Sequence, residues 1–355
     1  MLSIIVALLL FGFIVLVHEF GHFLLAKLNG IGVVEFSMGM GPRLCSVVRG
    51  ETRYSIKALP FGGSCAMVGE DQDDPNPKAF NNKPVLARIA VIAAGPVFNF
   101  ILAFLFAIVI VSIAGHDQPV LTGVTEGSPA QEAGLMAGDK ITRINGRKVS
   151  AYRDVQLYLL SHPGDSVTLR YERPAGGSWE NSGAAEKRTA ELTPVYDEQY
   201  QAYMLGVQFG GYQKTRGPGE LLSSSLYEVK YCVVSTFDSL RMLFTRKIAV
   251  DDAVTGPVGI VNMVGETVES GRQGGALVMV YILSSWVLLL SASLGIMNLL
   301  PIPALDGGRL LFLLIELVRG KPIDPEKEGM VHMAGMMALM ALMVFVLFND
   351  IRRLM

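Results

Sequence analysis

Four blocks of the sequence run apolar, and between the second and the third the pattern changes to short alternating runs broken by turns. Residues 1–17 carry no charge, and apolar positions continue to Lys27. A helix of that length reaches about 39 Å at the helical rise, which predicts a tilted crossing of a hydrocarbon core about 30 Å thick. A second uncharged stretch lies between Arg88 and His116 and opens on Ala93-Ala94-Gly95-Pro96. The third block, 276–318, is too long for one span and holds Pro301 and Pro303. A proline lacks a backbone donor and clashes with the preceding turn, so the helix is expected to break there. The prediction is a span over about 276–300, an irregular turn, and a short helix from Gly308 to Val318. Irregular backbone at membrane depth survives only where protein or a water-filled cavity satisfies it. A last span covers about 333–349.

The connections carry different patterns. Residues 118–210 alternate β-like runs, such as Ser166–Tyr171, with Gly, Pro and Asn turns, which predicts a soluble β-rich insert. After it Leu222, Leu226, Val229, Val233, Phe237, Leu240 and Phe244 recur at helical spacing. That amphipathic helix either packs on the insert or lies on a membrane surface. The resulting division is 1–28 (first span), 29–88 (loop), 89–115 (second span), 116–212 (insert), 213–275 (amphipathic helix and linker), 276–306 (third span), 307–330 (short helix and loop) and 331–355 (fourth span).

Composition agrees with a membrane class: 51% of the 355 residues are hydrophobic and 17% charged, against about a quarter charged in soluble domains. The net charge of −2 offers no basic face for a nucleic-acid partner. Cys45, Cys65 and Cys232 have no metal-type spacing and suit packing roles. The first segment lacks the basic start and small-residue cleavage site of a signal peptide, so it reads as a retained anchor. Arg43, Arg49, Arg53, Lys57, Lys78, Lys83 and Arg88 crowd loop 28–88, and Arg319, Lys321 and Lys327 follow the third span. The positive-inside rule makes that side cytoplasmic and the insert extracytoplasmic. Arg352 and Arg353 weigh mildly the other way.

The candidate chemistry begins inside the first span, at His18-Glu19-Phe20-Gly21-His22. Histidines one helical turn apart direct two nitrogens from one face, as a tetrahedral zinc requires. Glu19 is rotated about 100° from His18 and suits a general base acting on a water. From Lys27 back to His18 a helix climbs about 13 Å, a depth at which unserved histidines and a carboxylate are costly. Leu25 and Leu28 exclude the metzincin extension of the motif. Glu35 and Glu51 are conceivable third ligands, although loop glutamates are ordinarily solvated. Asp306, at the broken end of the third block, is the better candidate, with a helix cap as its ordinary alternative.

Further segments complete a pattern: EFSMGMGP at 35–42, ALPFGG at 58–63, AAGPVFNF at 93–100, GPVGI at 256–260 and NLLPIPALDGGR at 298–309. With HEFGH at 18–22, the chain resembles the site-2 intramembrane metalloproteases, in the bacterial branch that carries a PDZ domain (the regulator of sigma-E protease type). The resemblance implies a polytopic α-helical membrane protein with about four transmembrane helices, a membrane-associated β-hairpin and one inserted PDZ domain. It implies His18, His22 and Asp306 as ligands of Zn2+, Glu19 as the catalytic carboxylate, and Asn298 as a group that holds substrate backbone. Residues 53–67 resemble the family's reentrant hairpin, with Pro60-Phe61-Gly62-Gly63 as its turn. Gly127–Gly146 resembles a bacterial PDZ signature, either a substrate filter or a spacer.

The activity so implied is regulated intramembrane proteolysis in a bacterial plasma membrane, on the cytoplasmic side. Its partners would be the lipid bilayer and single-pass transmembrane substrates, such as anti-sigma factors or remnant signal peptides. An upstream site-1 protease would trim those substrates first. The rivals are a silent adaptor, which the intact His18, Glu19, His22 and Asp306 set disfavours, and a metal transporter, for which the spans carry too few polar residues.

Overall fold

In a computed structural model, residues 2–70, 74–175, 179, 185–245, 256–323 and 325–354 are described. They form two compact units, one from residues 1–109 with 248–355 and the other from 110–247. Among the described residues, four helices are long and apolar enough to cross a membrane: Ile4–Leu28, Val85–Ala114, Gly275–Leu299 and Glu328–Asp350. Helix α1 (Leu2–Leu28) is followed by strands β1 (Val33–Arg49) and β2 (Thr52–Met67), and then by α2 (Val85–Ala114).

The β1–β2 hairpin reverses at Gly50-Glu51, between the paired Arg49 and Thr52, with Gly50 at a φ of +63°. The chain reverses again where the sequence placed a turn, at Pro60–Gly63: residues 53–56 run parallel to 35–38 and residues 63–66 antiparallel to them, with Gly62 at a φ of +84°. There the partner of β2 changes from the outer part of β1 (Arg43↔Lys57) to its inner part (Met38↔Gly63). The register also sets Glu35, Phe36, Ser37 and Met38 beside Arg53, Tyr54, Ser55 and Ile56. The inner segment of β1 is thus flanked on both sides, which local sequence patterns do not reveal.

In the second unit, β3 (Leu121–Val124) pairs with β10 (Val207–Phe209). Helix α3 (Pro129–Glu132) is capped by Ser128, whose hydroxyl accepts from Gln131 N. Strands β4 (Lys140–Ile144), β5 (Arg147–Lys148), β6 (Val167–Pro174) and β7 (Ala185–Leu192) form a sheet of order β5-β4-β6-β7. Helix α4 (Tyr152–Ser161) closes its core over Leu121, Ile141, Ile144, Val155 and Leu169. Strands β8 (Val195–Asp197) and β9 (Ala202–Met204) make a small hairpin. Helix α5 (Pro218–Phe244) is the amphipathic segment. It packs on the insert through Arg153, which holds both Asp117 and Glu228, and through Tyr227, whose hydroxyl donates to Asp154 at 2.9 Å.

The first unit resumes with a helix where the sequence suggested a linker: α6 (Pro257–Gln273) starts at the GPVGI motif with proline in its first turn. Asp350 accepts from Gly256 N and Gly259 N, both at 3.0 Å, and so caps α6 from a distant helix. Helices α7 (Gly275–Leu299), α8 (Asp306–Arg319) and α9 (Pro325–Leu354) follow, with the Pro-rich turn between α7 and α8. Leu10, Ile14, Leu102 and Val287 pack α1, α2 and α7 together.

Candidate metal centre

His18 and His22 lie one turn apart on α1, and both are 6% exposed. Their Nε2 atoms are 3.2 Å apart. Asp306 Oδ2 approaches them at 3.1 and 3.4 Å. Zinc bonds of 2.0–2.1 Å at a tetrahedral angle separate donor atoms by about 3.3 Å, so the three edges match one face of a zinc tetrahedron. Two lone-pair nitrogens and a carboxylate oxygen converge, and that buried oxygen finds no hydrogen-bond donor. Such a set repels itself unless a cation or a proton joins it, and the residues therefore fit a zinc ion.

The sequence builds this convergence by removing side chains. A Cβ on Gly95 would collide with His22 Nε2 and His18 Cε1, and one on Gly21 would come within 2.5 Å of Ala94 O. The two glycines let α1 and α2 touch where the histidines sit. Asp306 is not the cap of its helix: the cap position is Leu305, and the Asp306 side chain turns toward α1 instead. Between them Gly307 and Gly308 allow the Pro-rich turn to fold against the α8 backbone, since a Cβ on either would strike Leu300 O or Ile302 O.

Second contacts orient the rings. His22 Nδ1 is 2.9 Å from Val91 O, so it carries the proton and leaves Nε2 free as a donor atom for metal. The Asn99 amide meets His18 Nδ1 at 3.0 Å while Asn99 Oδ1 is buried and unpaired. A half-turn of the amide brings Oδ1 against a protonated Nδ1, which satisfies both groups and frees His18 Nε2. Ser291 on α7 ties the Asn99 carbonyl at 2.9 Å. Sequence reasoning missed Asn99. Its one signal was its place in AAGPVFNF, three residues beyond Pro96.

Glu19 is half-buried beside the pair, and a Cβ on Gly63 would stand 3.0 Å from its Cγ, so β2 runs close to α1 at this carboxylate. Asn298 is half-buried near the end of α7, and no hydrogen bond among the described residues joins it to His18, His22 or Asp306. Glu35 and Glu51 lie elsewhere. Glu51 pairs with Lys27 and Lys78 on the surface. Glu35 is not solvated as a loop glutamate would be: it is buried, accepts from Arg43 and Ser55 at 2.6 Å, and faces Lys57 at 3.6 Å. The Arg43 guanidinium, with the Ser55 hydroxyl, holds its carboxyl down at about 2. Arg309 of the LDGGR motif pairs with Glu70, and Arg88 with Glu316. These four and His332 border a polar cavity of about 410 Å³.

Comparison with known proteins places this chain among peptidases. The sequence pattern of peptidase family M50 matches residues 6–342. A relative from Clostridium acetobutylicum is 35% identical over 98% of this chain and 97% of its own. The zinc metalloprotease RasP of Geobacillus kaustophilus is 32% identical over 99% of this chain and 98% of that protein. The Regulator of sigma-W protease RasP of Bacillus subtilis is 32% identical over 99% of both. Among solved structures, the PDZ domain of an SdrC-like protein from Listeria monocytogenes covers 26% of this chain and 88% of its own. It is 22% identical with a TM-score of 0.22, too low to bear on the fold.

Proposed function

The chain belongs to peptidase family M50, and from that premise we propose that it is a zinc metalloprotease cutting transmembrane substrates within the bilayer. The observation that carries the reading is the convergence of His18, His22 and Asp306 from helices far apart in sequence. In this reading those three hold the zinc, with Val91 O and Asn99 keeping both imidazoles in the ligand tautomer. When bound, zinc supplies Lewis acidity, polarising a carbonyl and bringing a water's pKa to about 7.

Glu19 carries the protons. It takes one from the attacking water as the new C–O bond forms, and gives it to the amine nitrogen as the C–N bond breaks. A helical substrate cannot react as it stands, because its carbonyls are turned into its own hydrogen bonds. The hairpin answers this need: a segment added beside β2 would be held extended, close to Glu19. Asn298 would then bind substrate backbone as it enters from the α7 side. The polar cavity beside Arg309 and His332 supports a supply of water to a centre that otherwise lies among apolar helices.

The substrates are single-pass membrane proteins in regulated signalling, such as anti-sigma factors or remnant signal peptides, trimmed beforehand by a site-1 protease. The name of the Bacillus subtilis relative supports that class. The protein resides in a bacterial plasma membrane, with the centre toward the cytoplasm and the insert, a PDZ domain, outside as a filter for trimmed substrates. The basic residues of loop 28–88 support this sidedness. Metal analysis of the purified protein tests the ligand set. One zinc per chain is expected, with its loss in Asp306→Ala; undiminished zinc in that variant removes Asp306 from the site.

A further inference from the structure

The Pro-rich turn leaves one backbone donor without a local partner. Between α7 and α8 the N–H groups belong to Leu300, Ile302, Ala304 and Leu305, because Pro301 and Pro303 have none. Leu300 N donates to Met297 O, Ile302 N to Leu300 O and Leu305 N to Ile302 O. Ala304 N alone among these four reaches a side chain remote in sequence, donating to His332 Nδ1 on α9 at 3.0 Å. At membrane depth an unpaired N–H is costly, so this bond decides whether the turn can keep its shape.

The shape itself is unusual. Ala304 sits at a φ of +76°, a left-handed conformation that a residue with a Cβ avoids. It lies two positions before Asp306, so any relaxation there moves the carboxylate away from His18 and His22. Helix α9 grips the same turn a second time, three residues on: a Cβ on Gly335 would collide with Cβ and O of Pro303. The His332 ring is itself held, packed on Phe312 with ring centres 5.6 Å apart. Because Nδ1 accepts, the ring proton is on Nε2, which faces Glu328 Oε1 at 3.7 Å.

We propose that His332 is a positioning residue for the metal centre: by accepting from Ala304 N it locks the strained turn that aims Asp306 at His18 and His22. The inference rests on the ligand assignment above and adds a residue to it that touches neither metal nor substrate. It makes α9, none of whose most apolar stretch is buried, part of the machinery of the site.

The test uses the full-length protein in detergent, stripped of metal and titrated with zinc against a chromogenic chelator, and with cobalt as a spectroscopic probe. His332→Phe keeps a ring against Phe312 but removes the acceptor; His332→Asn returns an acceptor near the position of Nδ1. The expected result is a zinc affinity lowered about 10- to 100-fold in His332→Phe, a shifted cobalt absorption spectrum, and recovery of both in His332→Asn. Wild-type affinity and spectrum in His332→Phe, or an equal loss in both variants, overturns the inference. If His332→Phe fails to fold, His332→Asn against His332→Ala decides on the same readouts. Asp306→Ala is measured alongside. Should it bind zinc as tightly as wild type, the ligand assignment itself falls. Should it lose zinc while His332→Phe does not, only the role of His332 falls.

Discussion

A histidine binds metal through a nitrogen without a proton, so whatever holds its other nitrogen controls the site. His22 has a backbone carbonyl for this purpose and His18 has the Asn99 amide. Asn99→Leu, which fills the space without an acceptor, is expected to lower zinc affinity about 10- to 100-fold, measured by chelator competition, while the apolar packing of α2 persists. The spacing of His18 and His22 was legible because a helix converts four residues into one turn, and Asp306 was legible because a carboxylate beside a broken span needs a partner. Asn99 was not. An asparagine in an apolar run can face any neighbour, and only the rotation of α2 against α1 decides which.

Elements meet here through absences of side chains. Gly95→Ala would drive a methyl group into both histidine rings. We expect loss of zinc binding with a destabilisation of about 1–3 kcal/mol, read by metal content and thermal unfolding, whereas Gly211→Ala, with open space around it, should change neither. The hairpin depends instead on charge. Glu35 titrates at about 2 in the folded chain because Arg43 and Ser55 bind its carboxylate. A depressed carboxyl stabilises the fold above the unfolded value of about 4.3 and loses that contribution as pH falls toward 2. Amide-exchange protection over 33–57 should therefore be greater in wild type than in Glu35→Gln at pH 7, with the gap closing between about pH 4.5 and 2. By composition alone residues 53–67 read as a loop, and only the resemblance supplied a hairpin with its turn at Pro60–Gly63, since its pairing with residues 33–49 is set by partners remote in sequence. The sequence likewise read 257–273 as linker, because Glu266, Glu269 and Arg272 dilute its apolar face and its cap comes from Asp350.

At the scale of the whole molecule, four spans and one insert were visible in the apolar blocks alone, while the attachment of α5 was not. The sequence left that helix between membrane surface and insert. Arg153 resolves its packing, half-buried between the buried Asp117 and Glu228 and stacked on Tyr231 at 4.8 Å. Replacing Arg153 by Met leaves two buried carboxylates unpaired, a cost of about 3–5 kcal/mol, and should deprotect α5 in amide exchange of the intact protein. Sidedness is open to direct labelling: exposed Cys45 should react with an impermeant maleimide only from the cytoplasmic side, and Glu191→Cys in a Cys45→Ser background only from outside. The central claim, a water-activating carboxylate at an intramembrane zinc centre, is tested most directly by one comparison. Wild type and Glu19→Gln are reconstituted in lipid vesicles with a single-pass substrate, and products are mapped by mass spectrometry. The account predicts cleavage within the apolar segment by wild type, and a rate at least about 100-fold lower in Glu19→Gln with its zinc retained. Equal rates, or cuts confined to sequence outside the apolar segment, would contradict it.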